Sequence, residues 1–436
     1  MANTEPPSGL GTIAPEGRHL PNLEGVRGLC ASAVLFYHVA FAGGLLGMLN
    51  EPKDPFWGVV ASGLEVFLPP FFVLSGFLLY RSFARATITG TPWPALGNFM
   101  WRRVLRIVPG FWVVTIVTLL VMNLHSINGI WYVLRPLLML HSFKIENFPV
   151  GMEPTWTVTT EFAFYLVLPP FAWLIARYAR RADDPVRRAR RIMLPLAGFV
   201  AFGVVWHVYC SLPSLRQSSP FGMSDLTFWP PHYAGTFAIG MALAVLAVRA
   251  ETAAEPPRLY RLVRQRPNLC WLAALAVFAV NLYKPFGPAA VPDWSGFTQA
   301  QIDYVLSLTF AALFVAPLTV PGVRWRFADA VLANAPVRFL GRISYGVYLW
   351  HMLVLDVAIG EGSINGRTAP MDPVAYQAAG MDVGMWPLLA ITFFGTVAVA
   401  AASHYLFERP VARLGHRWPR APRPVPDPAL APQQTG

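Results

Sequence analysis

Charged residues are scarce in this chain of 436 residues. Asp, Glu, Lys and Arg make up only 13% of it, whereas a soluble domain carries about 25%. So small a share excludes a disordered chain, a coiled coil and an ordinary soluble enzyme. Hydrophobic residues instead make up 55% and form long runs, and apolar runs of roughly 18 residues or more are typical of membrane-spanning helices. We therefore predict an all-α, polytopic integral protein of the cell membrane.

Cysteine is rare as well. The three cysteines show neither a CxxC pattern nor any other metal-ligand spacing, and they fall in or near different hydrophobic segments. We therefore expect Cys30, Cys210 and Cys270 to be buried, unreactive thiols, and we expect no bound metal. The sequence also lacks the HExxH, GxSxG and P-loop motifs, which excludes the enzyme classes that depend on them.

The apolar runs predict about ten spans, and both termini are then cytoplasmic. A further apolar stretch, Ile130–Leu140, is too short to cross and is predicted to be re-entrant or interfacial. The predicted spans are Val26–Leu46, Val59–Tyr80, Ile107–Leu124, Trp156–Ala176, Met193–Cys210, His232–Val248, Leu269–Tyr283, Ile302–Val320, Phe339–Ile359 and Gly384–Phe407.

Acidic residues are outnumbered, with 23 against 34 Lys and Arg. Ten spans with a cytoplasmic N-terminus place 28 of those 34 on the cytoplasmic side, as the positive-inside rule requires. Topology and anionic headgroups therefore account for the positive charge, and no nucleic-acid partner is expected. The predicted parts are a cytoplasmic tail at residues 1–22, a ten-helix membrane domain at 23–409 and a disordered, Pro-rich cytoplasmic tail at 410–436.

Ionisable side chains inside predicted spans are costly, so each is a functional candidate. Arg27 and His38 are eleven positions apart in the first span, which places them on one helix face and roughly 16 Å apart. Glu161 lies near the outer start of the fourth span, at a predicted depth similar to that of His38. Because a buried carboxylate needs a partner, we predict a His38–Glu161 pair.

Other candidates allow a structural and a functional interpretation. Arg103 and Arg106 lie one turn apart at the cytoplasmic start of the third span. They anchor the span or bind phosphate through their forked guanidinium groups. Ser75 belongs to a Ser-Gly pair that is typical of close helix packing. His351 in the ninth span makes a structural hydrogen bond or takes part in function, with Tyr348 one turn before it.

Together these motifs resemble the membrane acyltransferase 3 family, which contains bacterial O-antigen acetylases. The resemblance covers about residues 23–409 and departs from the family at Pro69, where an acidic residue is frequent. It rests on the basic-x10-His pattern of Arg27 and His38, the Ser-Gly motif at Ser75, Arg103-x-x-Arg106, Trp156 with Glu161, and Ser344-Tyr345 with Tyr348 and His351.

The resemblance implies transfer of an acetyl or other short acyl group from cytoplasmic acyl-CoA to a hydroxyl of a carbohydrate, glycolipid or other glycosylated acceptor. His38 would then be the general base and Glu161 would orient it. The implied partners are acyl-CoA, the acceptor and the lipid bilayer, with no permanently bound cofactor. The resemblance assigns donor binding to Arg27, Arg103 and Arg106. It assigns support of the site to Trp156, Ser75, Tyr348 and His351.

Two other functions remain open at this point. A transporter or flippase of a lipid-linked or acylated glycan would use the same buried His, Glu and Arg side chains as a proton relay. A polytopic scaffold would use them only for structure. The sequence alone does not name the acceptor or the length of the acyl chain.

Overall fold

The computed structural model describes residues 21–46, 55–216, 223–253, 255–287, 293–321, 326–360 and 373–414. These residues are predominantly helical, and none of them forms a strand. The predicted N-terminal tail up to residue 20 and the Pro-rich tail from residue 415 lie outside the described residues. The helical part extends to Leu414, five residues beyond the predicted end of the membrane domain.

The described helices are numbered in chain order. Short 3₁₀ turns at Leu64–Phe67, Glu153–Thr155 and Pro230–Tyr233 precede α3, α6 and α9, and a π-helix at His404–Glu408 joins α16 to α17. The helices are α1 (Pro21–Ala42), α2 (Pro55–Gly63), α3 (Pro69–Thr89), α4 (Leu96–Met122), α5 (Ile130–Leu137), α6 (Trp156–Ala179), α7 (Pro185–Cys210), α8 (Pro213–Arg216), α9 (Ala234–Thr252), α10 (Arg258–Gln265), α11 (Pro267–Leu282), α12 (Trp294–Val315), α13 (Arg326–Leu332), α14 (Ala335–Ala358), α15 (Pro373–Val383), α16 (Met385–Ser403) and α17 (Arg409–Leu414).

Each of the ten predicted spans overlaps helical structure, and the second runs through α2, the 3₁₀ turn Leu64–Phe67 and the first part of α3. Within the described ranges, eight helical segments are long and apolar enough to cross a membrane. The seventh and ninth predicted spans are not among those eight: α11 is apolar but has 16 residues, and α14 has 24 residues and includes charged side chains. The short helix α5 exposes Ile130 and Trp131, which agrees with a segment that does not cross.

Glycines set the closest contact between α1 and α14. A Cβ atom on Gly341 would lie 2.0 Å from the carbonyl oxygen of Glu24, and one on Gly28 would lie 2.7 Å from the backbone nitrogen of Gly341. Gly28 therefore lies beside Gly341, and about three turns further along, His38 lies beside His351. The two helices run parallel, as the first and ninth of ten alternating spans must.

The neighbouring helix α16 runs antiparallel to α14. Gly346 packs against Ala400, whereas Gly395, which comes earlier in α16, packs against Val354, which comes later in α14. A ninth and a tenth span with alternating directions require this arrangement. The helix packing thus agrees with the predicted order of the spans.

The helices α3 and α9 also run parallel and pack closely. A Cβ atom on Gly76 would lie 2.3 Å from the carbonyl oxygen of Phe237. Further along both helices, Arg81 and Arg85 form ion pairs with the same carboxylate, that of Glu251. These contacts fix α3 against α9 along most of its length.

Candidate active site

A pocket that is open to the surface lies between α1, α3, α4, α6 and α14. Its lining combines three guanidinium groups and one carboxylate with hydroxyl groups and apolar side chains. The polar lining residues are Arg27, Arg103, Arg106, Glu161, Ser75, Thr157, Tyr165, Ser344, Tyr345 and Tyr348. The apolar ones are Leu68, Phe71, Phe72, Leu74, Leu78, Leu79 and Val158.

The three arginines converge from two helices. Arg27 comes from α1, and Arg103 and Arg106 come from successive turns of α4. Arg103 is half-buried, with its guanidinium carbon 5.6 Å from the centre of the Phe99 ring. Its Nε atom is buried without a hydrogen-bond partner among the described residues. Arg106 is exposed. Because only one carboxylate lines the same space, the pocket suits a negatively charged ligand.

Glu161 is held by two hydroxyl groups on the pocket wall. Its Oε1 atom accepts hydrogen bonds from Ser75 Oγ at 2.9 Å and from the Tyr165 hydroxyl at 2.6 Å. His38 instead lies beside His351, with the ring centres 5.2 Å apart. The predicted His38–Glu161 pair is therefore wrong.

The depth at which α6 begins explains this difference. The hydroxyl of Tyr348 donates a hydrogen bond of 2.7 Å to the carbonyl oxygen of Pro154, so the start of α6 lies beside Tyr348 in the interior of the bundle. Glu161 follows seven residues after Pro154, which is roughly 10 Å along a helix. That length carries the carboxylate past the histidines to the arginines.

His38 and His351 form a second polar centre next to the pocket. Tyr348 lines the pocket, and its ring centre is 5.7 Å from that of His351. The Nδ1 atom of His351 lies 2.7 Å from the carbonyl oxygen of Tyr348. Since a carbonyl oxygen only accepts, Nδ1 carries the hydrogen. The Nε2 atom then bears the lone pair, and it is buried without a partner in the part of the chain that the structure describes.

A third histidine, His141, secures the segment before α6. Its Nε2 atom lies 2.8 Å from Thr155 Oγ1. Burial lowers the pKa of His141 to about 3, so this side chain is neutral at physiological pH. His141 therefore holds the start of α6 in place.

Six of the nine predicted site residues line the pocket, namely Arg27, Arg103, Arg106, Ser75, Glu161 and Tyr348. His38 and His351 form the neighbouring pair. Trp156 lies behind the wall, where its ring stacks on Tyr233 with centres 4.8 Å apart. The structure thus brings the predicted residues into two adjoining centres.

Sequence reasoning missed Tyr165, which lines the pocket, and Glu408, which lies outside it near Tyr345 of the pocket wall. Tyr165 lies four positions after Glu161 on one helix, a spacing that predicts contact and was available as a signal. Glu408 lies in the π-helix, where its Oε1 atom accepts a hydrogen bond of 2.9 Å from Ser403 Oγ. A Cβ atom on Gly110 would lie 3.5 Å from Glu408 Cγ. No local sequence pattern predicts a π-helix. The sequence therefore gives no indication of where the Glu408 carboxylate lies.

Comparison with known proteins adds an independent observation. The family model of the acyltransferase domain matches residues 20–405. The chain is 20% identical to "Peptidoglycan O-acetyltransferase OatA" of Listeria monocytogenes, over 78% of this chain and 50% of OatA. It is 26% identical to "Acyltransferase MdmB" of Streptomyces mycarofaciens, over 97% of this chain and 100% of MdmB.

The chain spans about half the length of OatA but the full length of MdmB. No solved structure matches it. The family match begins just before α1 and ends within the π-helix, so it includes both the arginine-lined pocket and the histidine pair. The chain belongs to the acyltransferase domain family.

Proposed function

We propose that the protein is an integral membrane O-acyltransferase. It transfers an acetyl or other short acyl group from acyl-CoA, bound from the cytoplasmic side, to a hydroxyl of a carbohydrate or glycolipid acceptor. One observation carries this proposal: a pocket with three arginines extends to Tyr348, whose ring adjoins a histidine pair. The names of OatA and MdmB support acyl transfer, and that of OatA supports a glycan acceptor.

The pocket has the chemistry that an acyl-CoA donor needs. The phosphates of CoA carry several negative charges. The pocket lining offers three positive charges, from Arg27, Arg103 and Arg106, against one negative charge from the carboxylate beside them. The apolar lining includes Phe71 and Leu68, which suit the uncharged arm that carries the thioester. With phosphates at the arginines, the acyl end points towards Tyr348 and the histidines.

His38 is the proposed general base. It removes the proton from the acceptor hydroxyl while the oxygen attacks the thioester carbonyl carbon. The resulting tetrahedral intermediate breaks its carbon–sulfur bond, and the CoA thiolate receives the proton from the His38 imidazolium. His351 replaces Glu161 as the positioning residue, because its Nε2 lone pair is available to accept a hydrogen bond from the adjacent imidazole.

Glu161 has a different role in this proposal. Its carboxylate is bound by Ser75 and Tyr165 and lies in the same pocket as the three arginines. Its negative charge attracts the three guanidinium groups and keeps them at the wall of the pocket, where the phosphates of the donor would bind. Glu161 therefore acts on donor binding rather than on the proton transfer.

Acyl transfer by the purified protein tests the proposal. The protein in lipid vesicles is given acetyl-CoA labelled in the acetyl group, together with lipid-linked glycans or cell-wall glycan fragments. We expect release of free CoA and labelled ester on the glycan. His38→Ala should abolish the transfer and retain acyl-CoA binding. Movement of a lipid-linked glycan across the vesicle membrane without any thioester turnover would overturn the proposal in favour of a flippase.

A further inference from the structure

A cluster of metal-ligand side chains lies outside the pocket, where α7 meets the turn before α9. His207 and Cys210 lie in the last turn of α7, and His232 lies in the 3₁₀ turn Pro230–Tyr233. All three are at most 7% exposed. One ligand atom from each lies within 4.8 Å of the other two. Helix packing therefore assembles two imidazoles and one thiol at a single buried point.

The spacing within this cluster suits one metal ion. Cys210 Sγ and His232 Nδ1 are 3.4 Å apart. A tetrahedral zinc ion, with Zn–S near 2.3 Å and Zn–N near 2.0–2.1 Å, holds its sulfur and nitrogen ligands about 3.5 Å apart. This pair is thus already at the separation that zinc requires. The ligand atom of His207 would approach by roughly 1 Å to complete the set.

The hydrogen bond made by His207 leaves one of its ring nitrogens available to bind a metal. Its Nε2 atom lies 3.1 Å from the carbonyl oxygen of Ala300, which only accepts, so Nε2 carries the hydrogen. The Nδ1 atom then bears a lone pair, and it is buried without a partner among the residues that the structure describes. Metal-binding histidines usually donate their other ring N–H to a carbonyl in this way. The ring is also stacked on Tyr304, with centres 4.0 Å apart.

We propose that His207, Cys210 and His232 bind a zinc ion, with a fourth position open to water. Two imidazoles and a thiolate form a ligand set for zinc, whereas magnesium and calcium prefer oxygen ligands. This proposal replaces, at Cys210, the expectation of an unreactive thiol and a protein without metal.

The position of the site gives the ion a structural role. It would fasten the end of α7 to the turn that begins α9. Tyr233, the neighbour of His232, lies with its ring centre 4.8 Å from that of Trp156 and 4.9 Å from that of Phe72. Phe72 lines the arginine-lined pocket. The ion would therefore secure the layer of rings behind one wall of the pocket.

The metal content of the full chain tests the proposal. The protein is purified in detergent without a chelator, through an affinity tag that contains neither histidine nor cysteine. We expect about one zinc ion per chain in the wild type and in Cys270→Ala, and less than about a tenth of that in Cys210→Ala. Cys270→Ala is the matched control because it removes a thiol outside the cluster.

A cobalt titration gives the same test without depending on a variant that folds. Wild-type protein stripped by a chelator should develop a thiolate-to-cobalt charge-transfer band and tetrahedral cobalt bands that saturate at about one equivalent. His232→Gln should lose the tetrahedral bands. A wild type that binds neither zinc nor cobalt would overturn the proposal and leave a hydrogen-bonded thiol–imidazole cluster. Equal metal content in Cys210→Ala and wild type would overturn it as well.

Discussion

The arginine-lined pocket and the histidine pair hold different kinds of polar side chain. In the pocket, Glu161 receives two hydrogen bonds and Arg103 lies over an aromatic ring. In the pair, the Nε2 atom of His351 has no partner among the described residues, and His38 is partly exposed. The first centre holds permanent charges in place, whereas the second leaves nitrogen atoms available for a proton. In the proposed function, charge binding and proton transfer are therefore separate tasks of two adjoining sites.

A single helix connects the two centres. Arg27 and His38 lie on the same face of α1, roughly 16 Å apart. The parallel contact with α14 gives each of them a neighbour on that helix: Ser344 and Tyr345 share the pocket with Arg27, and His351 lies beside His38. A donor that spans this distance would place its phosphates at one centre and its thioester at the other.

The largest expected effect concerns the histidine pair. His38→Ala removes the proposed base, so kcat should fall by roughly 10²–10⁴-fold while the Kd for acyl-CoA stays the same. Single-turnover transfer and equilibrium binding measure the two quantities. His125→Ala, an exposed histidine outside both centres, is the control and should leave both unchanged. Weaker acyl-CoA binding with an unchanged kcat would show that His38 acts in donor binding and not in proton transfer.

The second effect belongs to the pocket. Arg103→Ala should weaken acyl-CoA binding by about 1–3 kcal/mol, because a charge-assisted contact with phosphate is lost, and kcat at saturating donor should change little. Arg102→Ala is the matched control, since Arg102 is the adjacent exposed arginine and its Nε atom bonds locally to the carbonyl oxygen of Asn98. Equal losses in both variants would show that only the general charge of α4 matters.

These two centres also show what could be predicted from the sequence. Eight of the predicted spans overlap described helical segments that are long and apolar enough to cross a membrane, and such a run is visible in the sequence alone. Arg103 and Arg106 were predicted to share one helix face because they lie one turn apart, and the family resemblance added Arg27 to them. The depth of Glu161 was predicted wrongly, since it depends on a hydrogen bond between Tyr348 and Pro154, which are 194 positions apart. No local spacing carries such information.

The same limit applies to the proposed zinc site. His207 and Cys210 are close in sequence, but His232 reaches them only because α7 and α9 pack as antiparallel neighbours, with Gly203 against Gly235. The sequence alone predicts Cys210 to be an unreactive thiol, and it does not bring His232 to the end of α7. Pairings between helices are properties of the packing, and the pattern of one helix does not determine them.

The third effect is an energetic coupling, which tests directly whether the two centres act independently. In a double-mutant cycle on transfer rate, His38→Ala and His351→Gln should be coupled by about 0.5–3 kcal/mol, because the rings are adjacent. His38→Ala and Glu161→Gln should be additive to within about 0.5 kcal/mol, since they share no hydrogen-bond partner. Strong coupling between His38 and Glu161 would contradict the separation and restore the pair predicted from the sequence.

The smallest effect tests whether the wall of the pocket acts on donor binding alone. Ser75→Ala removes one of the two hydrogen bonds to Glu161 and leaves that from Tyr165. We expect acyl-CoA binding to weaken by about 0.5–1.5 kcal/mol, the usual contribution of one hydrogen bond, as the carboxylate becomes less well held beside the arginines. The Kd for acyl-CoA and the kcat at saturating donor are measured side by side. Ser32→Ala, which removes only a local bond to the Gly28 carbonyl within α1, is the matched control and should change neither. If kcat falls while the Kd holds, then Ser75 and Glu161 act on the chemical step, and the division between a binding centre and a proton-transfer centre is lost.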